Sequence, residues 1–256
     1  MSTVVAWAAK DTNGITSMYF ISESRISWGK NAIWDHGQKV FSLNRCGIIA
    51  YCGDVLYPTQ TISQIKDLID KEILFKISDT NNQKISIIRK YLQNSLQNYP
   101  KQINNTIILV ALVLDQEFDY YELTLNNNDV ALEHIELKAN EPYSYGSGSQ
   151  KFKSVFTRLK EEKFSRYICQ AFFRTIEEGK DPLSGGPIQL VGIYRNSDAK
   201  TFGIVQDDKK YIYGQKIDSN AIPLDIEWRN RNFEIIDAST MKRKEKAQRQ
   251  PFHKKL

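Results

Sequence analysis

Residues 3–23 read TVVAWAAKDTNGITSMYFISE. Two short runs rich in β-branched and aromatic residues, 3–9 and 15–23, flank Asp11-Thr12-Asn13-Gly14. A turn of this composition between such runs predicts a β-hairpin. A second strand pair follows at 39–43 (KVFSL) and 47–52 (GIIAYC), with Asn44 to Gly47 at the turn. The period then changes. Ile62, Ile65, Leu68, Ile69 and Ile73 recur at three- and four-residue steps, predicting an amphipathic helix over 59–77. Ile85, Ile88, Tyr91, Leu92 and Leu96 predict another over 82–98, ended by Pro100. Strands return at 106–114, 119–125 and 132–137. The first of these, TIILVALVL, is apolar on both faces and is expected to be central and covered on both sides. Residues 149–178 are helical in pattern, with a break near Lys163, and strands follow at 188–195, 200–206 and 210–216. Blocks of strands alternating with blocks of helices predict an α+β fold.

Hydrophobic residues make up 41% of the 256 and charged residues 25%, which suits a globular chain with a full core. The net charge of +5 is uneven. Residues 242–256 hold seven Lys or Arg against Glu245, so the remainder carries 28 basic and 29 acidic residues. A neutral body argues against nucleic-acid binding as the main task. One domain is expected over 1–238, followed by a basic tail, 239–256, with little to bury and expected to be disordered. Three irregularly spaced cysteines, Cys46, Cys52 and Cys169, fit neither a disulfide framework nor a zinc site. His36, His134 and His253 lack metal-ligand spacing. No phosphate- or dinucleotide-binding motif is present, so neither metal nor cofactor is expected. The start, MSTVVAWAAKD, has no signal-peptide pattern, and no apolar run is long enough to span a membrane. The expectation is a cytoplasmic protein without membrane attachment.

Four features carry chemistry. Ser2-Thr3-Val4-Val5 opens the first strand behind Met1, whose removal would expose Ser2. A hydroxyl is a poor nucleophile until a base takes its proton, and a free α-amine, with an ordinary pKa of about 7.7–8.0, can be that base. Next, Glu23-Ser24-Arg25 leads through Gly29 to Lys39-Val40-Phe41-Ser42-Leu43. Third, Tyr51-Cys52-Gly53-Asp54 closes the fourth strand. Last, Gly146-Ser147-Gly148-Ser149 opens a helix, and Asp181-Pro182-Leu183-Ser184-Gly185-Gly186 precedes the strand IQLVGIYR.

In their order and separation these motifs resemble the proteasome β-subunits and their bacterial HslV-type relatives, over roughly residues 2–216. The resemblance implies a four-layer αββα sandwich of two antiparallel sheets, the fold of the N-terminal-nucleophile hydrolases. It implies a peptidase in which Ser2 attacks and its own amine accepts the proton. Lys39 takes the place of the lysine that lowers the nucleophile's proton affinity, and Glu23 that of the carboxylate holding it. Glu23 departs from the family's Asp by one methylene. Gly53 takes the place of the oxyanion-binding glycine, and Ser147, Asp181 and Ser184 that of the groups that orient the N-terminus. Cys52 reads as apolar filler. The implied partners are a peptide or protein substrate, further copies of the chain in a ring, and an ATP-dependent unfoldase. An inactive structural subunit and a small-molecule amidase are the alternatives. Alternation along a strand places Thr3 on the face opposite Ser2, and so away from the site.

Overall fold

In a computed structural model, residues 2–28, 32–103, 105–159, 165–179, 181–218 and 226–247 are described. Met1, Gly29, Lys163 and residues 248–256 of the tail therefore lie outside the described residues.

The chain opens with β1 (Thr3–Asp11) and β2 (Gly14–Glu23), the hairpin expected from the first motif. The short strands β3 (Ile26–Trp28) and β4 (Ala32–Trp34) precede β5 (Val40–Ser42) and β6 (Gly47–Cys52). Helices α1 (Leu56–Asp70) and α2 (Asn81–Gln97) lead to β7 (Thr106–Leu114), β8 (Glu117–Asn126), β9 (Asp129–Ile135) and β10 (Tyr143–Gly146). Then come α3 (Ser149–Leu159), α4 (Ser165–Glu177), β11 (Ile188–Tyr194), β12 (Ser197–Gln206), β13 (Lys209–Ile212) and β14 (Gln215–Lys216). The chain ends in β15 (Trp228–Arg229), β16 (Ile235–Asp237) and β17 (Lys242–Arg243).

The four-layer αββα sandwich of two antiparallel sheets is not what forms. Strand outweighs helix, 41% to 24%, and the strands make three sheets. The largest has ten strands, with a path running β10-β1-β2-β11-β12-β15-β16-β17, and β13 pairs β12 and β14. The second is β5-β6-β7-β8-β9, and the third is the β3-β4 hairpin. The large sheet is mixed, because β15 joins β12 in parallel. The physical reason for the shortfall is local. β3, β4 and β15 to β17 are two or three residues long, too short to carry a periodic signal. The boundary expected at 238 falls just before β17, whose Arg243 pairs Ile236, so the pairing continues past it.

Three cores hold the elements that matter for the site. Val4, Ala6, Met18 and Phe20 of the hairpin meet Ile48, Ala50, Cys52, Leu109 and Ala111 of the second sheet. On the other side of the same hairpin, Val5, Trp7, Tyr19 and Ile21 pack with Phe152 and Val155 of α3 and Phe172 of α4. β1 is thus apolar at every position from Val4 to Ala8 because both of its faces are covered. The third core joins Ile62, Ile65, Ile85, Ile88 and Leu92 of α1 and α2 to Ile108, Val110 and Leu112 of β7. α2 begins at a capping box: the Thr80 hydroxyl accepts from the Gln83 backbone, and the Gln83 side chain accepts from the Thr80 N–H.

Candidate active site

The start of β1 lies between the ends of two neighbours. Thr3 pairs Gly146 at the end of β10, and Val4 pairs Ser22 beside the last residue of β2. The register brings four segments distant in sequence to residues 2 and 3. Glu23 ends β2, Lys39 precedes β5, Gly53 follows β6, and the loop 181–186 enters β11 beside β2.

The glycines at 146 and 148 are explained by closeness. A Cβ on Gly146 would sit 1.7 Å from the Ser2 carbonyl oxygen, and its φ is +85°. A Cβ on Gly148 would sit 2.0 Å from the Thr3 hydroxyl. Any side chain at either position would displace residue 2 or 3.

Glu23 and Lys39 form an ion pair at 2.7 Å, and neither side chain is exposed. Burying two charges is costly unless their remaining hydrogen-bonding capacity is met. Here it is. Oε1 of Glu23 accepts from Lys39 Nζ and from the Thr3 N–H at 3.0 Å. Oε2 accepts from the N–H groups of Arg25 at 2.6 Å and Gly185 at 3.3 Å. Nζ also donates to the Arg25 carbonyl at 2.5 Å. One carboxylate thus serves four donors, from Thr3, Arg25, Lys39 and Gly185. Burial pulls the Lys39 pKa below its ordinary value, opposed by the charge and hydrogen bond of Glu23.

Ser147, Asp181 and Ser184 form a second group. Oδ2 of Asp181 accepts from the Ser147 hydroxyl at 2.8 Å and from the Ser184 hydroxyl at 2.7 Å. The Ser184 oxygen lies 2.7 Å from the Thr3 hydroxyl. An ionised carboxylate only accepts, so the Ser184 proton points to Asp181 and the Thr3 proton to Ser184. The expectation that Thr3 looks away from the site is therefore corrected. The Thr3 hydroxyl meets Ser184, whereas the Ser2 hydroxyl meets none of these groups. Through its N–H and its hydroxyl, Thr3 joins this network to Glu23.

The Ser2 hydroxyl is fully buried and has no hydrogen-bond partner among the described residues. Gly53 sits at φ +113°, where a Cβ would lie 2.7 Å from the Thr106 Cα. Cys52 beside it is buried, and burial lifts its thiol to about 12, so it is no thiolate nucleophile at neutral pH.

Two residues outside the expected site set complete the arrangement. Gln189, on β11, accepts from the Lys39 N–H at 3.1 Å and donates to the Gly37 carbonyl at 2.6 Å and the Ser24 hydroxyl at 2.8 Å. It holds the backbones on both sides of the ion pair. Its signal was a polar residue inside the apolar run of IQLVGIYR. Arg25 is the other, through its backbone. A cleft of about 420 Å³ reaches Asp181, Ser184, Gly185 and Arg25 from the surface, with Tyr211 and Asp207 on its far wall.

Among the described residues no group of three or more His, Cys, Asp or Glu could hold a metal ion, and no helix is long and apolar enough to cross a membrane. No protein-family model matches the chain, and a search of curated proteins finds no match either.

Proposed function

We propose that the protein is an N-terminal-nucleophile amide hydrolase acting on peptides, with Ser2 as nucleophile once Met1 has been removed. The observation that carries this reading is the fully buried Glu23–Lys39 pair, bonded through Thr3 to the Ser147–Asp181–Ser184 network at the start of β1. A purely structural pair would be replaceable by apolar side chains at little cost. A buried cation and a set of oriented hydroxyls at Thr3, the residue next to Ser2, suit acyl transfer, with the Ser2 hydroxyl, which contacts none of them here, turning toward them once Met1 is removed. The Ser2 hydroxyl attacks the carbonyl carbon, and its proton passes to the Ser2 amine. The Lys39 ammonium, held by Glu23, favours the alkoxide by its charge. The amine then returns the proton to the leaving nitrogen, and water releases the acyl group from Ser2. The resemblance assigns the Gly53 N–H to the oxyanion.

Mass spectrometry of the intact protein tests the first requirement, a chain beginning at Ser2. Labelling by a peptide epoxyketone, which requires both the hydroxyl and the free amine, tests the second. A chain that begins at Ser2 and yet takes up no label and cleaves no peptide would defeat the reading.

An inactive subunit of the same ancestry is the second reading. It is favoured by one observation: Ser2 is buried, and the nearby cleft reaches Ser184 and not Ser2. Retention of Met1 in the mature protein would support it.

A further inference from the structure

The Arg25 side chain lines the cleft that reaches Ser184, and neither that side chain nor Asp35 has a role assigned above. Arg25 follows Glu23 by two residues, and Asp35 follows β4. Their side chains meet in a two-point ion pair, Nε to Oδ1 at 2.7 Å and Nη2 to Oδ2 at 2.9 Å. Such a fork fixes orientation as well as charge. The pair rests on Gly185 and Gly186. A Cβ on Gly185 would lie 2.5 Å from the Arg25 Cζ, and one on Gly186 would lie 2.8 Å from the Asp35 Cβ. The Arg25 Nη1 donates to the Pro182 carbonyl at 3.3 Å. The side chain is thus held on three sides. Its backbone touches both members of the buried pair: the N–H donates to Glu23 and the carbonyl accepts from Lys39.

We propose that Arg25 and Asp35 are a positioning pair for Lys39, fixing its ammonium through the Arg25 carbonyl and keeping the neighbouring charge balanced. The catalytic consequence rests on the hydrolase reading; the positioning itself does not. Lys39 faces Glu23 from β2, Cys52 from β6 and Asp35 from just after β4, and its Nζ meets the Arg25 carbonyl just before β3, while Glu23 and Asp181 also face the Arg25 guanidinium. Asp35 is the carboxylate paired with the guanidinium, and its charge also favours the Lys39 ammonium, so removing that charge leaves both cations with one favourable neighbour fewer. An added positive neighbour disfavours a second one.

The test follows the Lys39 Cε resonance of ¹³C-lysine-labelled full-length protein through a pH titration, assigned by its loss in Lys39→Arg. Asp35→Asn is expected to move the Lys39 midpoint down. Arg25→Gln should move it up, and Arg25→Gln/Asp35→Asn should return it close to that of the unaltered protein. The alkaline limb of peptide hydrolysis should shift in the same direction in each. A merely structural pair would leave the double variant no better than the singles. A Lys39 midpoint that is the same in all variants overturns the proposal, whatever the activity. Should Asp35→Asn fail to fold, the upward shift in Arg25→Gln carries the same decision. Midpoints that move in a protein that cleaves no peptide would keep the positioning pair and remove the hydrolase reading.

Discussion

At the scale of single residues, Ser2 and Glu23 separate function from stability. A buried hydroxyl without a partner costs stability, and Ser2 is one. Ser2→Ala is therefore expected to abolish hydrolysis while raising stability by up to about 1 kcal/mol, checked by peptide cleavage and urea unfolding. An active Ser2→Ala variant would remove Ser2 from the reaction. Glu23→Gln leaves the Lys39 ammonium buried without its counter-charge, and a loss of about 3–5 kcal/mol is expected. Glu23→Gln/Lys39→Met should recover most of that stability and none of the activity. If the double variant cleaves peptides, the ion pair is architectural only. Thr3 shows how sequence reasoning reached a right premise and a wrong conclusion. Alternation along β1 follows from strand geometry, and it holds from Val4 to Trp7, whose side chains enter two cores in turn. The position of the hydroxyl network was not legible, because its members lie more than a hundred residues away and the folded register alone brings them to Thr3.

At the scale of elements, legibility followed the length and regularity of the pattern. β7 spans Thr106–Leu114, the range its apolar run marks, and α2 is displaced from its expected range by one residue. α1 differs more. The pattern carried through Ile73, yet the helix stops at Asp70, where Glu72 turns with φ +52° and Ile73 is left exposed. Hydrophobic period reports what could be buried, and chain reversal then overrides it. The cap of α2 offers a test at this scale. Thr80→Ala removes the acceptor for the Gln83 N–H and is expected to cost about 1 kcal/mol, with Thr80→Ser close to neutral, read from unfolding midpoints at an unchanged denaturant slope. One turn farther on, Lys84 is buried with no partner for its amine among the described residues. Burial pulls its pKa down, opposed by Cys46, Asp79 and Asp115. The unfolded chain then binds the proton more tightly than the folded one. The stability this withholds is withheld in full below the folded pKa and regained as pH rises toward the ordinary lysine value of about 10.4. Lys84→Met should thus be more stable than the parent at pH 7, with its advantage shrinking by pH 10. An advantage that grew with pH would mean a missing counter-ion in this account of the site.

At the scale of the whole molecule, the groups gathered at the start of β1 come from segments far apart in the described chain. Thr3, Glu23, Lys39 and Gly53 belong to its first quarter, while Ser147, Asp181, Ser184 and Gln189 arrive only after β1 has waited for β10 and β11 to flank its hairpin. The large sheet is built from long-range pairings, which are slow to close. This has a bearing on protein synthesis. A chain leaving the ribosome carries Ser2 and Lys39 early, but the Gly185 N–H that completes the Glu23 shell is among the later residues made. On the proposed hydrolase reading, the earlier half would be unarmed during translation, and competence would belong to finished molecules.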